Sequence, residues 1–396
     1  MIDRNPPKLG ANTRLTHAGR RPSGEYGFVN PGVQRGSTVL FPNSAARMEA
    51  SGKRLEQTLI YGLLGTETHH ALEDVISEIE GAKRCQIVSS GLAAITTALM
   101  AFLRSGDHCL IVDSAYGPGR VFANDVLSTF GVDITYYHPH NLQDFRSLFR
   151  PNTKVVFCES PGSYTFEMQD VPAFSAVAHE HGARVLIDNT WGLSIFQPFE
   201  HGADVSIQAL TKYAGGHSDI MLGAISTVDD EDWGKVRSTA LALGQYASPD
   251  DCWLALRGTR TLAVRMRQQA QSAMEIATWL QHRPEVDEVL YPPLPGSAGH
   301  DLWQRDYIGA SSVFAVRLAK SLGARAAERF ADALKLFGIG SSWGGYESLV
   351  VPVSIPSLRR HFEDHLDDPL LRLHVGLEDA QDLLNDLEQA LVSIGS

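Results

Sequence analysis

The sequence predicts an α/β protein: a mostly parallel sheet covered by helices, preceded by an N-terminal arm and followed by a smaller C-terminal α/β domain. Three observations carry this. Between Cys85 and Val228, seven short apolar runs (CQIVSS, CLIVDS, ITYYH, VVFCES, RVLIDN, VSIQAL, GAISTV) are separated by helical stretches, the alternation expected of strands joined by crossover helices. The runs are apolar almost throughout, as strands covered on both faces should be. Beyond the mid-200s the chain again mixes strand-like and helix-like segments, enough for a second, smaller domain.

The elements follow in order. The chain has 396 residues, room for roughly two or three domains. Residues 1–60 are rich in Pro, Gly, Ser and Asn with weak periodicity, and read as an extended arm packed on another part of the molecule or on another subunit. A helix is predicted over 69–80, with Leu72, Val75, Ile76 and Ile79 on one face. Helices over 92–103 and 171–181 cover the sheet. A long helical segment spans 250–282. SVFAVRL and RLHVGL then read as strands, and 325–335 and 378–392 as helices. The resulting domains are the arm, 1–60; a sheet domain, 61–255; and a C-terminal domain, 256–396.

Composition narrows the function. The net charge is -12, with no block of Lys or Arg, which argues against nucleic acid or an anionic membrane as partner. No run of about 18 apolar residues is present, so no membrane span is expected. The first ten residues hold two prolines and no apolar core, so they do not form a secretory signal. Cys85, Cys109, Cys158 and Cys252 are widely spaced, three of them in strand-like runs. They read as buried thiols, which suits a reducing cytoplasm.

In an open α/β sheet, ligands bind outside the carboxyl ends of the strands, so reactive side chains are sought there. Asp188 ends the run RVLID, where an uncompensated carboxylate is costly. Its partner is either a protonated pyridine nitrogen, held cationic as an electron sink, or a helix cap or structural ion pair. Lys212 lies just past VSIQAL, before a Gly-rich turn. It is either a desolvated amine nucleophile or a rim lysine facing solvent, and its pairing with Asp188 favours the first. Thr211 beside it could donate to a phosphate. Ser89, Ser90, Gly91 and Leu92 close one strand and open a helix, giving an anion seat or a plain turn. Tyr116 follows CLIVDS and could stack on a planar ring or simply pack. Arg372 within an apolar run grips either a carboxylate or a structural partner. His361 and His365, and His179 and His181, form no metal-ligand pattern, and no metal is expected.

Together these segments resemble the Cys/Met-metabolism family of pyridoxal-phosphate (PLP) enzymes, and most closely its cystathionine β-lyase branch. The similarity runs from THAGR at 16–20, through YGLLGT at 61–66, ESPGS at 159–163, IDNTW at 187–191, TKYAGGHSD at 211–219 and SSWGGYESL at 341–349, to RLHVGLED at 372–379. It implies the aminotransferase-like fold type I, PLP as cofactor, and a homotetramer made of dimers that share active sites. It implies that Lys212 holds PLP covalently, that Asp188 partners the pyridinium, and that Tyr116 stacks on the ring and assists catalysis. Ser90, Gly91, Leu92 and Thr211 would contact the phosphate. Arg372 and Ser342 would bind the substrate carboxylate, Trp343 would line the pocket, and Tyr61 would be lent by the neighbouring subunit. The implied reaction is β-elimination from cystathionine or a related cysteine thioether, giving a thiol, pyruvate and ammonia. A γ-lyase or γ-synthase on the same scaffold, or a PLP-binding regulator with residual activity, are the alternatives. Two positions depart from the family pattern: Leu63 replaces the Arg of Y-G-R, which reaches the PLP phosphate, and Ser341 replaces a Tyr before SWGG. Both make the pocket less polar or wider, which points to a thioether other than cystathionine.

Overall fold

The structure, a computed structural model, describes residues 9–20, 27–355, 359 and 368–395. All seven apolar runs form strands: β1 (Arg84–Val88), β2 (His108–Val112), β3 (Asp133–Tyr137), β4 (Thr153–Glu159), β5 (Arg184–Asp188), β6 (Val205–Gln208) and β7 (Gly223–Thr227). They make one sheet in the order β1-β7-β6-β5-β4-β2-β3. β3, β2, β4, β5 and β6 are mutually parallel, and β7 is antiparallel to both β6 and β1. Every residue of β2, β6 and β7 is buried, which is why these runs carry no polar alternation. Because β2, β4, β5 and β6 point the same way, the segments leaving them emerge at one edge of the sheet.

The predicted helices at 69–80, 92–103 and 171–181 are observed as Glu67–Glu80, Gly91–Phe102 and Val171–Glu180. The first begins two residues earlier than expected because Thr66 and His69 form a reciprocal cap. A second sheet contains β8 (Val286–Leu290), β9 (Val313–Leu318), β10 (Gly338–Ile339), β11 (Leu349–Val353) and β12 (Leu370–His374), ordered β10-β11-β12-β9-β8. It is antiparallel except for the β10–β11 pair. Helices Ala326–Ala333 and Ala380–Gly395 go with it, the latter burying Leu383, Leu387 and Leu391.

Two expectations are corrected. The arm is not simply extended: it contains helices Ala11–His17 and Ser44–Gly52. The first is tied down where Arg260 donates from Nη1 to the carbonyls of Leu15 (2.9 Å) and Ala18 (2.8 Å). The segment 250–282 is two helices, Pro249–Thr259 and Leu262–Leu280. The break has a hydrogen-bond cause: the Gly258 carbonyl accepts from the Thr261 N–H at 3.1 Å and from Arg265 Nη2 at 2.8 Å, so the helical ladder is diverted there. The 255/256 boundary drawn from the sequence therefore falls inside the first of these helices. All four cysteines are buried and unpaired. Among the described residues, no helix is long and apolar enough to cross a membrane.

Candidate active site

Four segments leaving the parallel edge converge with one loop of the second sheet. Lys212 follows β6 in a tight turn, its N–H bonded to the Ala209 carbonyl at 3.0 Å. Its Nζ donates to Ser342 Oγ at 2.7 Å and sits 5.5 Å from the Trp343 ring centre. The loop comes this close because Gly344 has φ +86° and no Cβ; a Cβ there would lie 3.1 Å from Lys212 Cα. Burial, reinforced by the Arg372 charge and opposed by Asp188, pulls the Lys212 amine down to about 8. About a tenth of it is then an unprotonated nucleophile at pH 7, far more than for an ordinary lysine.

Asp188 is the last residue of β5. Its Oδ1 accepts from the Thr190 N–H (3.0 Å) and hydroxyl (2.6 Å). The same hydroxyl accepts the Ala209 N–H at 2.9 Å, joining the ends of β5 and β6. Burial pushes the Asp188 carboxyl up, while Thr190 and Lys212 hold it down. Arg372, on β12, donates from Nη2 to the Ser342 carbonyl at 2.9 Å and lies 5.7 Å from the Tyr164 ring centre. Ser342 is thus held from both sides, by Lys212 and by Arg372, in a left-handed backbone conformation of φ +85°. His374, two residues along β12, pins the same loop by accepting the Gly344 N–H at 3.1 Å. Burial keeps His374 neutral, down at about 3.

Ser90 caps the helix Gly91–Phe102. Its Oγ accepts the Ala93 N–H at 3.0 Å and its carbonyl the Ala94 N–H at 3.0 Å. The hydroxyl is therefore committed to the helix, while the N–H groups of Gly91 and Leu92 have no acceptor among the described residues. Gly91 packs directly on Ala209: a Cβ would be 2.6 Å from the Ala209 Cβ. That contact places the helix start beside the Lys212 turn. The Thr211 hydroxyl is also engaged, accepting the Leu222 N–H at 3.1 Å and facing the Leu222 carbonyl at 3.2 Å. Tyr116 begins the helix Gly117–Phe122, with its ring partly exposed and its hydroxyl pushed up by burial and then by Tyr164 and Asp188.

Lys212, Asp188, Tyr116, Arg372, Ser342, Trp343, Gly91, Leu92 and Thr211 are therefore gathered in one region. Tyr61 is not. It is half exposed, pairs through its backbone with Thr38, and has no hydrogen bond or ring contact to that group. Leu63 and Leu64 lie in the short turn Gly62–Leu64 that follows. His179 bonds Asp204 at 2.9 Å and His181 the Val177 carbonyl at 2.9 Å; His361 and His365 lie outside the described residues. Sequence reading missed Glu159, Tyr164 and His374. Glu159 carries the signal that exposed Asp188, a carboxylate ending a buried strand. Tyr164 carries none, because its backbone at φ +66° is not written in local composition.

The residues fit pyridoxal phosphate: a depressed amine, a half-buried carboxylate with one oxygen that no donor among the described residues meets, and two open N–H groups at a helix start lie within one region. The comparisons agree. The family model described as Cys/Met metabolism PLP-dependent enzyme matches residues 12–392. The chain is 46% identical over 388 residues (97% of this chain, 96% of the other) to a "putative cystathionine beta-lyase" of Rhizobium johnstonii. It is 45% identical over 389 residues (96% and 97%) to a "cystathionine beta-lyase" of Bordetella avium. The solved structure of metB from Corynebacterium glutamicum superposes with a TM-score of 0.90 at 31% identity, covering 98% of this chain and 99% of that one.

Proposed function

The chain belongs to the Cys/Met metabolism family of PLP-dependent enzymes, and from that premise we propose that it is a carbon–sulfur β-lyase. It cleaves cystathionine or a related cysteine thioether to a thiol, pyruvate and ammonia. The observation that carries this reading is the depressed, half-enclosed amine of Lys212 held between Ser342 and the charge of Asp188.

When bound, PLP supplies an aldehyde that captures amines and a cationic ring that absorbs the electrons released at a substrate Cα. Lys212 would hold the aldehyde carbon, Asp188 the ring nitrogen, and the Gly91 and Leu92 N–H groups the phosphate. Ser90 and Thr211, whose hydroxyls are committed elsewhere, would contribute through their backbone or by shape. Arg372 and Ser342 grip the substrate carboxylate, which fixes the orientation of the Cα–H bond; the bidentate geometry of a guanidinium suits this. Lys212 takes the proton from Cα as general base. Tyr116, kept protonated by burial, offers its hydroxyl proton to the departing sulfur. Trp343 closes the pocket against water.

Tyr61, half exposed and away from Lys212, supports a shared site: it would be lent to a neighbouring subunit, within a homotetramer of dimers. Four free, buried cysteines support a cytoplasmic setting. Leu63 and Ser341 support a thioether less polar than cystathionine. Incubating the purified enzyme with cystathionine and with S-alkyl and S-aryl cysteines, and quantifying pyruvate and 2-oxobutanoate separately, tests the reading. Pyruvate is expected, faster from the apolar thioethers. 2-Oxobutanoate as the main product would make the chain a γ-lyase, a new thioether would make it a γ-synthase, and PLP binding without turnover would leave a regulatory role.

A further inference from the structure

Glu159 ends β4 directly opposite Asp188 in the sheet register. It is only 8% exposed, and among the described residues no cation pairs with it. Burying an acidic side chain there without a cation is costly, so the placement of its two oxygens calls for a reason. Oε2 accepts the Tyr116 N–H at 2.6 Å, and Oε1 accepts the Ser163 hydroxyl at 2.6 Å. The first contact fixes the residue that opens the helix Gly117–Phe122. The second fixes the turn at 162–166, in which Tyr164 and Phe166 both hold left-handed backbones, φ +66° and +52°. A strained turn of this kind persists only where its surroundings over-determine it. Here Ser163 is anchored twice, its hydroxyl by Glu159 and its N–H by the Ser114 carbonyl at 2.8 Å. What the turn presents is the Tyr164 ring, 5.7 Å from the Arg372 guanidinium. Burial, with the Asp188 charge beside it, pushes the Glu159 carboxyl well up.

We infer that Glu159 is a positioning residue for the lyase reaction: one carboxyl group sets both the Tyr116 ring and the Tyr164 wall beside Arg372. It touches neither substrate nor cofactor and acts through the two tyrosines. The inference rests on the lyase reading above. Its test therefore uses the circular dichroism of the bound cofactor's visible band, which reports how the ring is seated without any turnover.

Glu159→Ala is prepared as the PLP-loaded enzyme beside Tyr116→Ala and the double variant. Glu159→Ala should still take up PLP, lose at least half of the visible dichroism, and fall about 10²-fold in kcat/KM, the scale of a roughly 1 Å misplacement. Because the effect runs largely through Tyr116, the double variant should be no worse than Tyr116→Ala by more than about threefold. Glu159→Gln keeps one carbonyl oxygen for the Tyr116 N–H and should recover about tenfold over Glu159→Ala. Wild-type dichroism and kcat/KM in Glu159→Ala would overturn the inference. So would a double variant whose loss equals the product of the single losses. If Glu159→Ala does not fold, Glu159→Asp replaces it: a displaced dichroic band is expected, and a wild-type band overturns the inference.

Discussion

The carboxyl edge of the large sheet and the turn at 61–64 are held very differently. At the sheet edge the chemically useful side chains of Lys212, Asp188 and Arg372 are each fixed by their own chain, through Ser342, Thr190 and the Ser342 carbonyl, while Glu159 holds Tyr116 by its backbone N–H. Among the described residues, the hydrogen bonds that hold the turn run through its backbone. The Gly62 N–H bonds the Ser37 carbonyl at 2.7 Å, and the Leu64 carbonyl accepts Arg237 at 2.6 Å, while the Tyr61 side chain projects half exposed. The difference separates two tasks. On the proposed reading, the reacting groups are set within this chain, whereas the turn, which carries Leu63 where the resembled family pattern has an arginine, would serve the phosphate of a neighbouring subunit's site.

The largest test of this contrast breaks the edge. Lys212→Ala should lower kcat by at least about 10⁴-fold, since nucleophile and base are lost together, and should abolish the visible band of the lysine-bound cofactor; substantial pyruvate production by that variant contradicts the assignment. Next, Arg372→Lys should raise KM for the thioether and lower kcat/KM about 10²-fold, because a point charge cannot reproduce a bidentate grip; steady-state kinetics reads the split. A smaller effect concerns the rate at which cofactor-free protein captures PLP. The Lys212 amine lies at about 8, below the usual lysine range, and only its neutral form attacks. Capture should rise about tenfold per pH unit below 8 and level off above it, followed by absorbance. A rise continuing towards pH 10 would mean an ordinary, solvated lysine. The smallest effect sharpens the other side of the contrast. Leu63→Arg should tighten PLP binding about tenfold, the scale of one charge-assisted hydrogen bond, with kcat little changed. An unchanged affinity would mean that the phosphate's counter-charge comes from elsewhere.

How far these features are legible in the sequence varies with their physics. The strands of the large sheet are legible because most of their residues are buried and the apolar runs are unbroken, even in the edge strand β3, whose first residues are exposed or half-buried. β8 and β11 are not, because β8 carries the acidic pair Asp287 and Glu288, and β11 contains Pro352, which weakens its strand signature. Asp188 and Lys212 stand out as charges at the ends of apolar runs. Glu159 has the same signature, yet its role depends on the Tyr116 N–H, 43 residues away in sequence, and on register with β5. The helix break at Gly258 is likewise invisible locally, because the Arg265 guanidinium that diverts its carbonyl also reaches the Tyr213 carbonyl of another segment, at 2.9 Å.

The most direct test of the central assignment is chemical. The PLP-loaded protein is reduced with borohydride, digested, and mapped by mass spectrometry. A pyridoxyl mass is expected on the peptide containing Lys212, and its loss in Lys212→Ala. A label on any other lysine, or none on a protein that retains PLP, would contradict it.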